Sequence, residues 1–242
     1  CRAAGDGTGL GIFRTPRNGR RFLTGGPPRA PTTGRESTEF AALSFARIDE
    51  APDELFYGMP RLVTHIDADA CAALAAYYAG ILRNGDAILD LMSSCVSHLP
   101  AALQPGRMVG IGMNTTELAA NPRLDEYGVQ NLNRSPRLPF EDETFDACLI
   151  AVSVQYLVDP VPVFSEIGRC LKPGGIAAVS YSNRMFPTKA VAAWRETGNE
   201  MHGELVAGYF GRAGKFADIN ISDISPQPGQ SDPLFVVSAV VA

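Results

Sequence analysis

Four short apolar runs constrain this chain more than any other feature: Ala87–Met92, Met108–Met113, Phe145–Val152 and Ile176–Ser182. Each is nearly continuous and bounded by turn residues. That is the pattern of a strand covered on both faces, as happens in a parallel sheet held between two layers of helices. Helical patterns fall between the runs. Asp67 is an N-cap for an Ala-rich helix reaching about Leu82, ended by Asn84-Gly85. Asn114-Thr115-Thr116-Glu117 has capping-box spacing and opens a short helix that Asn121-Pro122 closes. Val161, Phe164, Ile167 and Leu171 share one face of a third helix, and further helices are expected over Thr188–Thr197 and Gly203–Phe210. Phe216–Ile224 and Leu234–Val241, joined by a Pro/Gly/Ser loop, read as an antiparallel hairpin. The expectation is a doubly wound α/β fold with a mostly parallel sheet. Such sheets bind ligands beyond the carboxyl ends of their strands, where the strand order reverses, so the candidate site begins at Asp90–His98.

Charge divides the chain. Residues 1–35 carry seven Arg, no Lys and one acid, for +6, while the other 207 residues carry 14 basic and 25 acidic side chains, for −11. An acidic body offers no broad surface for nucleic acid or an anionic membrane, so neither is an expected partner of the folded domain. The first segment also holds eight Gly and four Pro, with only Leu10, Ile12, Phe13, Phe22 and Leu23 as larger apolar anchors. It cannot build a core of its own. The reading is a basic arm over residues 1–39, engaging a protein partner through 1–35, and one α/β domain over 40–242.

The five cysteines (Cys1, Cys71, Cys95, Cys148, Cys170) contain no C-x-x-C, and His65 and His202 lack ligand spacing, so neither a disulfide framework nor a metal site is expected. Cys95 reads as a small core residue. No run reaches the length of a membrane-spanning helix. The cysteine usage suits a reducing compartment. The Arg-rich, acid-poor start at Cys1 suits the remainder of an organelle transit peptide, so the expected locations are plastid, mitochondrial matrix or cytoplasm.

Three segments carry a resemblance to a known family: Ile88-Leu89-Asp90-Leu91, then Leu138-Pro139-Phe140 with Glu143-Thr144-Phe145-Asp146-Ala147, then Cys170-Leu171-Lys172-Pro173-Gly174-Gly175. In order and spacing over residues 67–242 they resemble the class I S-adenosylmethionine-dependent methyltransferases, in particular the type-11 group. The resemblance implies a seven-stranded sheet ending in an antiparallel hairpin, and S-adenosylmethionine as cofactor. It also implies where the cofactor sits: over Asp90, Met92, Ser93 and Ser94, with its ribose near Gly112 and Asn114 and its adenine near Asn131.

At those positions the chain departs from the family. The family's first strand runs into Asp-x-Gly-x-Gly-x-Gly, whereas Asp90 is followed by Leu91-Met92-Ser93-Ser94-Cys95-Val96-Ser97-His98, with no glycine. The ribose carboxylate position is Gly112, and the adenine carboxylate position is Asn131. Losing two charged acceptors, at about 1.5–3 kcal/mol each, predicts weak cofactor binding. On that ground Gly112→Asp is expected to gain affinity. The resulting expectation is a non-catalytic structural or interaction subunit of a larger assembly; the alternative is an active methyltransferase for a small molecule.

Ser153, Gln155 and Tyr156 after the fourth strand, and Asn183 and Arg184 after the fifth, are the candidate substrate-facing residues. Tyr156 also reads as a packed aromatic, and Arg184 as a solvated loop residue. His98 reads either as a general base or cofactor contact, or as a loop imidazole bonded to backbone. Methyl transfer demands in-line placement more than acid–base catalysis, so a missing catalytic motif says nothing against activity.

Overall fold

The computed structural model describes residues 44–242; the basic arm, and with it the expected partner surface, lies outside the described residues. Among the described residues, seven strands form one sheet in the order β3-β2-β1-β4-β5-β7-β6. They are β1 (Ala87–Ser93), β2 (Arg107–Gly112), β3 (Glu126–Val129), β4 (Phe145–Ala151), β5 (Leu171–Ser182), β6 (Phe216–Asp223) and β7 (Leu234–Val241). β1 to β5 run parallel, and β7 enters antiparallel between β5 and β6. The helices are α1 (Asp53–Tyr57), α2 (Ala68–Ile81), α3 (Thr115–Ala119), α4 (Pro160–Cys170), α5 (Ala192–Arg195) and α6 (Asn199–Ala213).

Local chemistry explains most of the boundaries. The Asp67 side chain accepts from the Ala70 amide at 2.8 Å and starts α2. Gly85 turns the chain back at φ +88, which costs a residue without Cβ little. β1, β2, β4 and β5 bury both faces. One face packs Leu89, Leu91, Phe145 and Ile150 against α4 and α6 through Phe164, Tyr209 and Phe210. The other packs Ile88, Met108 and Leu149 against α2 through Leu74 and Tyr78.

Two elements differ from expectation. β3 was not legible, because its four residues are mostly exposed at the sheet edge and carry no apolar run. The helix expected across Thr188–Thr197 is a single turn. The amides of Val191, Ala192 and Ala193 donate instead to the carbonyls of Gln155, Ala46 and Ser44, which ties this segment to the lead-in and leaves it only a short helical ladder, from Arg195 to Val191 and from Glu196 to Ala192.

The lead-in, residues 44–66, crosses the carboxyl edge of the sheet as a strap. Lys189, with 0% side-chain exposure, donates to the Ala51 carbonyl at 2.6 Å and pairs with Asp49 at 3.2 Å and Asp53 at 3.3 Å. Asp53 also accepts from Arg47 at 2.6 Å and from the Asn133 amide at 3.1 Å. Further along, Asn114 donates to the carbonyls of Tyr57 and Gly58, and the Arg61 amide donates to Glu117.

Candidate active-site cleft

Under that strap the carboxyl ends of β1, β2 and β4 open into a cavity of about 290 Å³. It lies where β1 and β4 are neighbours and the chain connections leave in opposite directions, the switch point at which such sheets bind ligands. Of the residues expected there, Asp90, Met92, Ser93, Ser94, Gly112, Asn114, Asn131, Ser153, Tyr156 and Arg184 line the cavity. Gln155 and Asn183 do not. Gln155 is buried behind the wall and donates to the Val152 carbonyl at 2.9 Å; Asn183 lies in a separate polar depression beside Asp67 and Asp232.

The glycine-free loop keeps a tight path by other means. β1 pairs Leu91 with Ile111 and Ser93 with Gly112, so Met92 is an extra residue, a bulge in the left-handed region at φ 58. Such a conformation costs a side-chain-bearing residue about 1–2 kcal/mol. The Asp90 carboxylate holds it in place, accepting from Ser93 Oγ at 2.7 Å and Ser97 Oγ at 2.6 Å. Asn121 completes the lock by donating to Ser97 Oγ and the Ser94 carbonyl. Asp90 therefore acts first as the clasp of its own loop.

Gly112 is explained by the same bulge. A Cβ on Gly112 would lie 2.2 Å from the Ser93 carbonyl oxygen. The position expected to correspond to the ribose carboxylate has no room for a side chain, which overturns the expectation that Gly112→Asp gains affinity. Asn114 is committed too: Oδ1 accepts from the amides of Thr116 and Glu117 to cap α3, and Nδ2 is spent on the strap. The Asn131 amide donates to Glu54 at 3.1 Å.

The capping-box spacing concealed a cavity residue. Glu117 does not reach back to close the box; its carboxylate accepts from Ser94 Oγ at 2.6 Å and from the Arg61 amide at 2.7 Å, and it lines the cavity. The far wall, also unforeseen, comes from the strap and the loop after β5: Tyr57, Arg61, His65 and Phe186. Tyr156 is packed, in agreement with one of its two readings, with its hydroxyl accepting from the Phe186 amide at 2.9 Å. Arg184 pairs with Asp232 at 2.7 Å. Cys95 is half-buried beneath the strap, its sulfur 3.8 Å from the Arg61 carbonyl, and is not a core residue. Among the described residues no cluster of three or more His, Cys, Asp or Glu is placed to hold a metal ion, and no helix is long and apolar enough to cross a membrane.

Burial sets the protonation of the site. The Asp90 carboxyl is pushed up to about 6 by burial, against the opposing effect of its two serine bonds. A carboxyl raised above its unfolded value near 3.8 keeps its proton longer when folded. Its stabilising contribution is full below about pH 4 and is lost as pH rises to about 6. Wild type minus Asp90→Asn should therefore show urea stability falling by about 2–3 kcal/mol between about pH 4 and 6.5; a flat difference would contradict the buried clasp. His98 is pushed down to about 4 by burial and then by nearby His65, so its imidazole is neutral at physiological pH.

A family model described as a methyltransferase domain matches residues 93–179. Among curated proteins, the chain is 34% identical over 125 residues to the biotin biosynthesis bifunctional protein BioHC of Teredinibacter turnerae, covering 46% of this chain and 22% of that protein. It is 32% identical over 125 residues to a demethylmenaquinone methyltransferase of Mycobacterium sp., covering 50% of this chain and 51% of that protein. The chain thus spans about half the length of these relatives, or less. Among solved structures it resembles a chain from the complex of a Haloferax volcanii methyltransferase activator with a methyltransferase, at TM-score 0.53 and 15% identity over 72% of this chain and 90% of that one. It also resembles the Haemonchus contortus phosphoethanolamine N-methyltransferase 2 bound to S-adenosyl-L-methionine, at TM-score 0.50 and 16% identity over 70% of this chain and 52% of that one. The fold is that of the class I methyltransferases.

The sheet order and terminal hairpin are those of the class I methyltransferase fold, and the cavity lies at the carboxyl ends of β1, β2 and β4. The donor set fits an adenosyl cofactor in part. Ile111, Met113 and Leu132 supply apolar lining, and Asn131 and Glu117 supply an amide and a carboxylate beside it. Two hydroxyls on residues that line the cavity, Ser153 Oγ and Tyr57 Oη, are buried without a hydrogen-bond partner among the described residues.

Proposed function

We propose that this protein is an active S-adenosylmethionine-dependent methyltransferase acting on a small molecule. One observation carries the reading. Of the five non-glycine residues with positive φ among the described residues, three border this one cavity: Met92 (φ 58), His98 (φ 52) and Val152 (φ 43). Left-handed backbone at a β-branched residue such as Val152 is a genuine outlier, and strain of about 1–3 kcal/mol per residue is characteristically kept where a site requires it. A silent scaffold has no reason to retain three such residues on the rim of one cleft. The family's loop uses glycine to take such a path, and here Met92 takes it with Cβ in place.

Ile111, Met113, Leu132, Asn131 and Glu117 would hold the cofactor's adenosine, and the Met92–Ser94 backbone would face its amino-acid end. When bound, that cofactor supplies a methyl group on a sulfonium, and the protein's part is to align the acceptor and exclude water. The strap does the second, because residues 53–65 cover the cleft.

The alternative, a non-catalytic subunit working through residues 1–35, rests on the missing carboxylates and predicts no cofactor binding. Calorimetric titration of the full chain with S-adenosylhomocysteine separates the two. Binding is expected, about ten- to a hundredfold weaker than a site retaining the ribose carboxylate, the equivalent of one charged hydrogen bond. Glu117→Ala should weaken it further. No heat and no thermal stabilisation at millimolar ligand would return the subunit reading to first place.

A further inference from the structure

Among the described residues one cation on the wall of the cleft has no carboxylate partner, and we infer that this residue, Arg61, anchors the acceptor by a carboxylate group, the acceptor being a small monocarboxylate with an apolar body. This names the acceptor class and rests on the methyltransferase reading only for its role as acceptor. Arg61 belongs to the strap, is half-buried and lines the cavity. Its guanidinium lies over the rings of Phe56 (4.6 Å) and Phe186 (5.1 Å) and donates to the carbonyls of Phe56 at 3.1 Å and Met59 at 3.4 Å. A guanidinium carries five N–H donors, so those two bonds leave the larger part of its donor capacity open.

The side chain carries that charge from one half of the cleft to the other. The Arg61 main chain sits on the β1–β2 side, where its amide donates to Glu117 and its carbonyl lies 3.8 Å from the Cys95 sulfur. Its guanidinium sits on the β4–β5 side, over Phe186 in the loop that follows β5. That platform is fixed. Phe186 stacks on Tyr156 with ring centroids 5.9 Å apart, and its amide donates to the Tyr156 hydroxyl at 2.9 Å. The guanidinium therefore stands over the half of the cleft beyond the adenosine position, held by rings on the strap and on the loop.

The other ionic groups on the wall do not compete for it. Asp53 is shared by Arg47 and Lys189, Arg184 is paired with Asp232, and Asp90 is the clasp of its own loop. Glu117 turns its two oxygens to Ser94 Oγ and the Arg61 main-chain amide. A planar fork held in one orientation recognises a planar carboxylate through parallel hydrogen bonds. Charge sets the number of negative groups at one. A phosphate monoester would bring a second negative charge beside Glu117, an ammonium would be repelled by the guanidinium, and a neutral guest would displace its water without replacing the lost hydration. Val152, Leu157 and Met185 line the same half, so the body behind the carboxylate is apolar.

The test uses the full chain and four probes of matched shape: 2-naphthoate, 2-naphthol, 2-naphthyl phosphate and 2-naphthylmethylammonium, followed by saturation-transfer NMR and competition, with and without S-adenosylhomocysteine. The expected result is that 2-naphthoate binds about tenfold or more tightly than each of the other three, the equivalent of one charged hydrogen-bonded pair. Arg61→Met should reduce 2-naphthoate to the level of 2-naphthol and leave 2-naphthol and S-adenosylhomocysteine within about twofold of wild type. Arg61→Lys, which keeps the charge and loses the fork, should fall between the two. If Arg61→Met does not fold by circular dichroism, Arg61→Lys carries the comparison with a several-fold loss of 2-naphthoate alone. Equal binding of naphthoate and naphthol, preference for the phosphate or the ammonium, no binding of naphthoate, or insensitivity to the substitutions would each overturn the site. S-adenosylhomocysteine, which carries a carboxylate of its own, is read separately. If it displaces 2-naphthoate and is weakened as much by Arg61→Met, Arg61 holds the cofactor's carboxylate, and the acceptor site falls while the methyltransferase reading stands. If 2-naphthoate binds through Arg61 and S-adenosylhomocysteine does not bind at all, the carboxylate site stands and the methyltransferase reading falls.

Discussion

Gly112→Asp is expected to unfold the β1–β2 edge of this protein and to gain no affinity for S-adenosylmethionine. The new Cβ would meet the Ser93 carbonyl oxygen at 2.2 Å and Leu118 Cδ2 at 3.1 Å, and the first of these is backbone that cannot swing aside. Relief requires undoing the Met92 bulge, and with it the Asp90–Ser93–Ser97 clasp, while a carboxylate is pressed into a buried strand end. Overpacking plus an unpaired buried charge should cost about 4 kcal/mol or more. For a domain of this size that corresponds to a fall of roughly 8–16 °C in melting temperature. Gly112→Ala carries the same backbone clash without the charge and should lose most of the same stability. A Gly112→Asp variant that melts with the wild type and binds S-adenosylhomocysteine more tightly would show that the β1–β2 register is not as described.

Asp53→Ala should release the strap. Asp53 has 5% side-chain exposure and is shared by Arg47, Lys189 and Asn133, so its removal leaves two buried cations with only Asp49, Glu50 and backbone carbonyls for company. Breaking a buried ion pair from one side typically costs about 3–5 kcal/mol, because the surviving charge is stranded. Removing both sides, as in Asp53→Leu with Lys189→Met, should be much milder, since the desolvation penalty disappears with the charges. Urea denaturation of the two single variants and the double variant measures this coupling. Hydrogen exchange should accelerate across residues 44–65 in Asp53→Ala while β4 and β5 stay protected. A loss below about 1 kcal/mol, or unchanged exchange in the strap, would show that the network is not what holds the cleft closed.

These two expectations separate what was legible in the sequence from what was not. The parallel core was legible because strands buried on both faces must be apolar throughout, and β1, β2, β4 and β5 each carry such a run. α2 and α3 were legible because Asp67 and Asn114 are capping residues placed directly before helix-forming segments. The terminal hairpin and the position of the cleft came from the same local rules, and most of the expected lining residues are found there. β3 was not legible, since an exposed edge strand has no need of an apolar pattern.

The meaning of the missing glycines was not legible either. In sequence, a glycine-free loop and a Gly112 without its carboxylate read as two independent losses. In the structure they are one device: the Met92 bulge brings the Ser93 carbonyl against β2, and only a residue without Cβ fits opposite it. Close approach of two backbones from distant segments leaves no local signature. The strap was hidden for the same reason, because Lys189 and Asp53 meet across 136 positions of sequence and are recognisable as partners only once burial has taken both from water. Glu117 carried a misleading signal, a capping-box spacing whose side chain found better partners in Ser94 and the Arg61 amide. Local propensity and hydrophobic period determined which segments become strands and helices, since those depend on neighbours in sequence; the cleft's shape, its strained rim and the unpaired hydroxyls of its lining residues were decided by contacts that exist only after the sheet has closed.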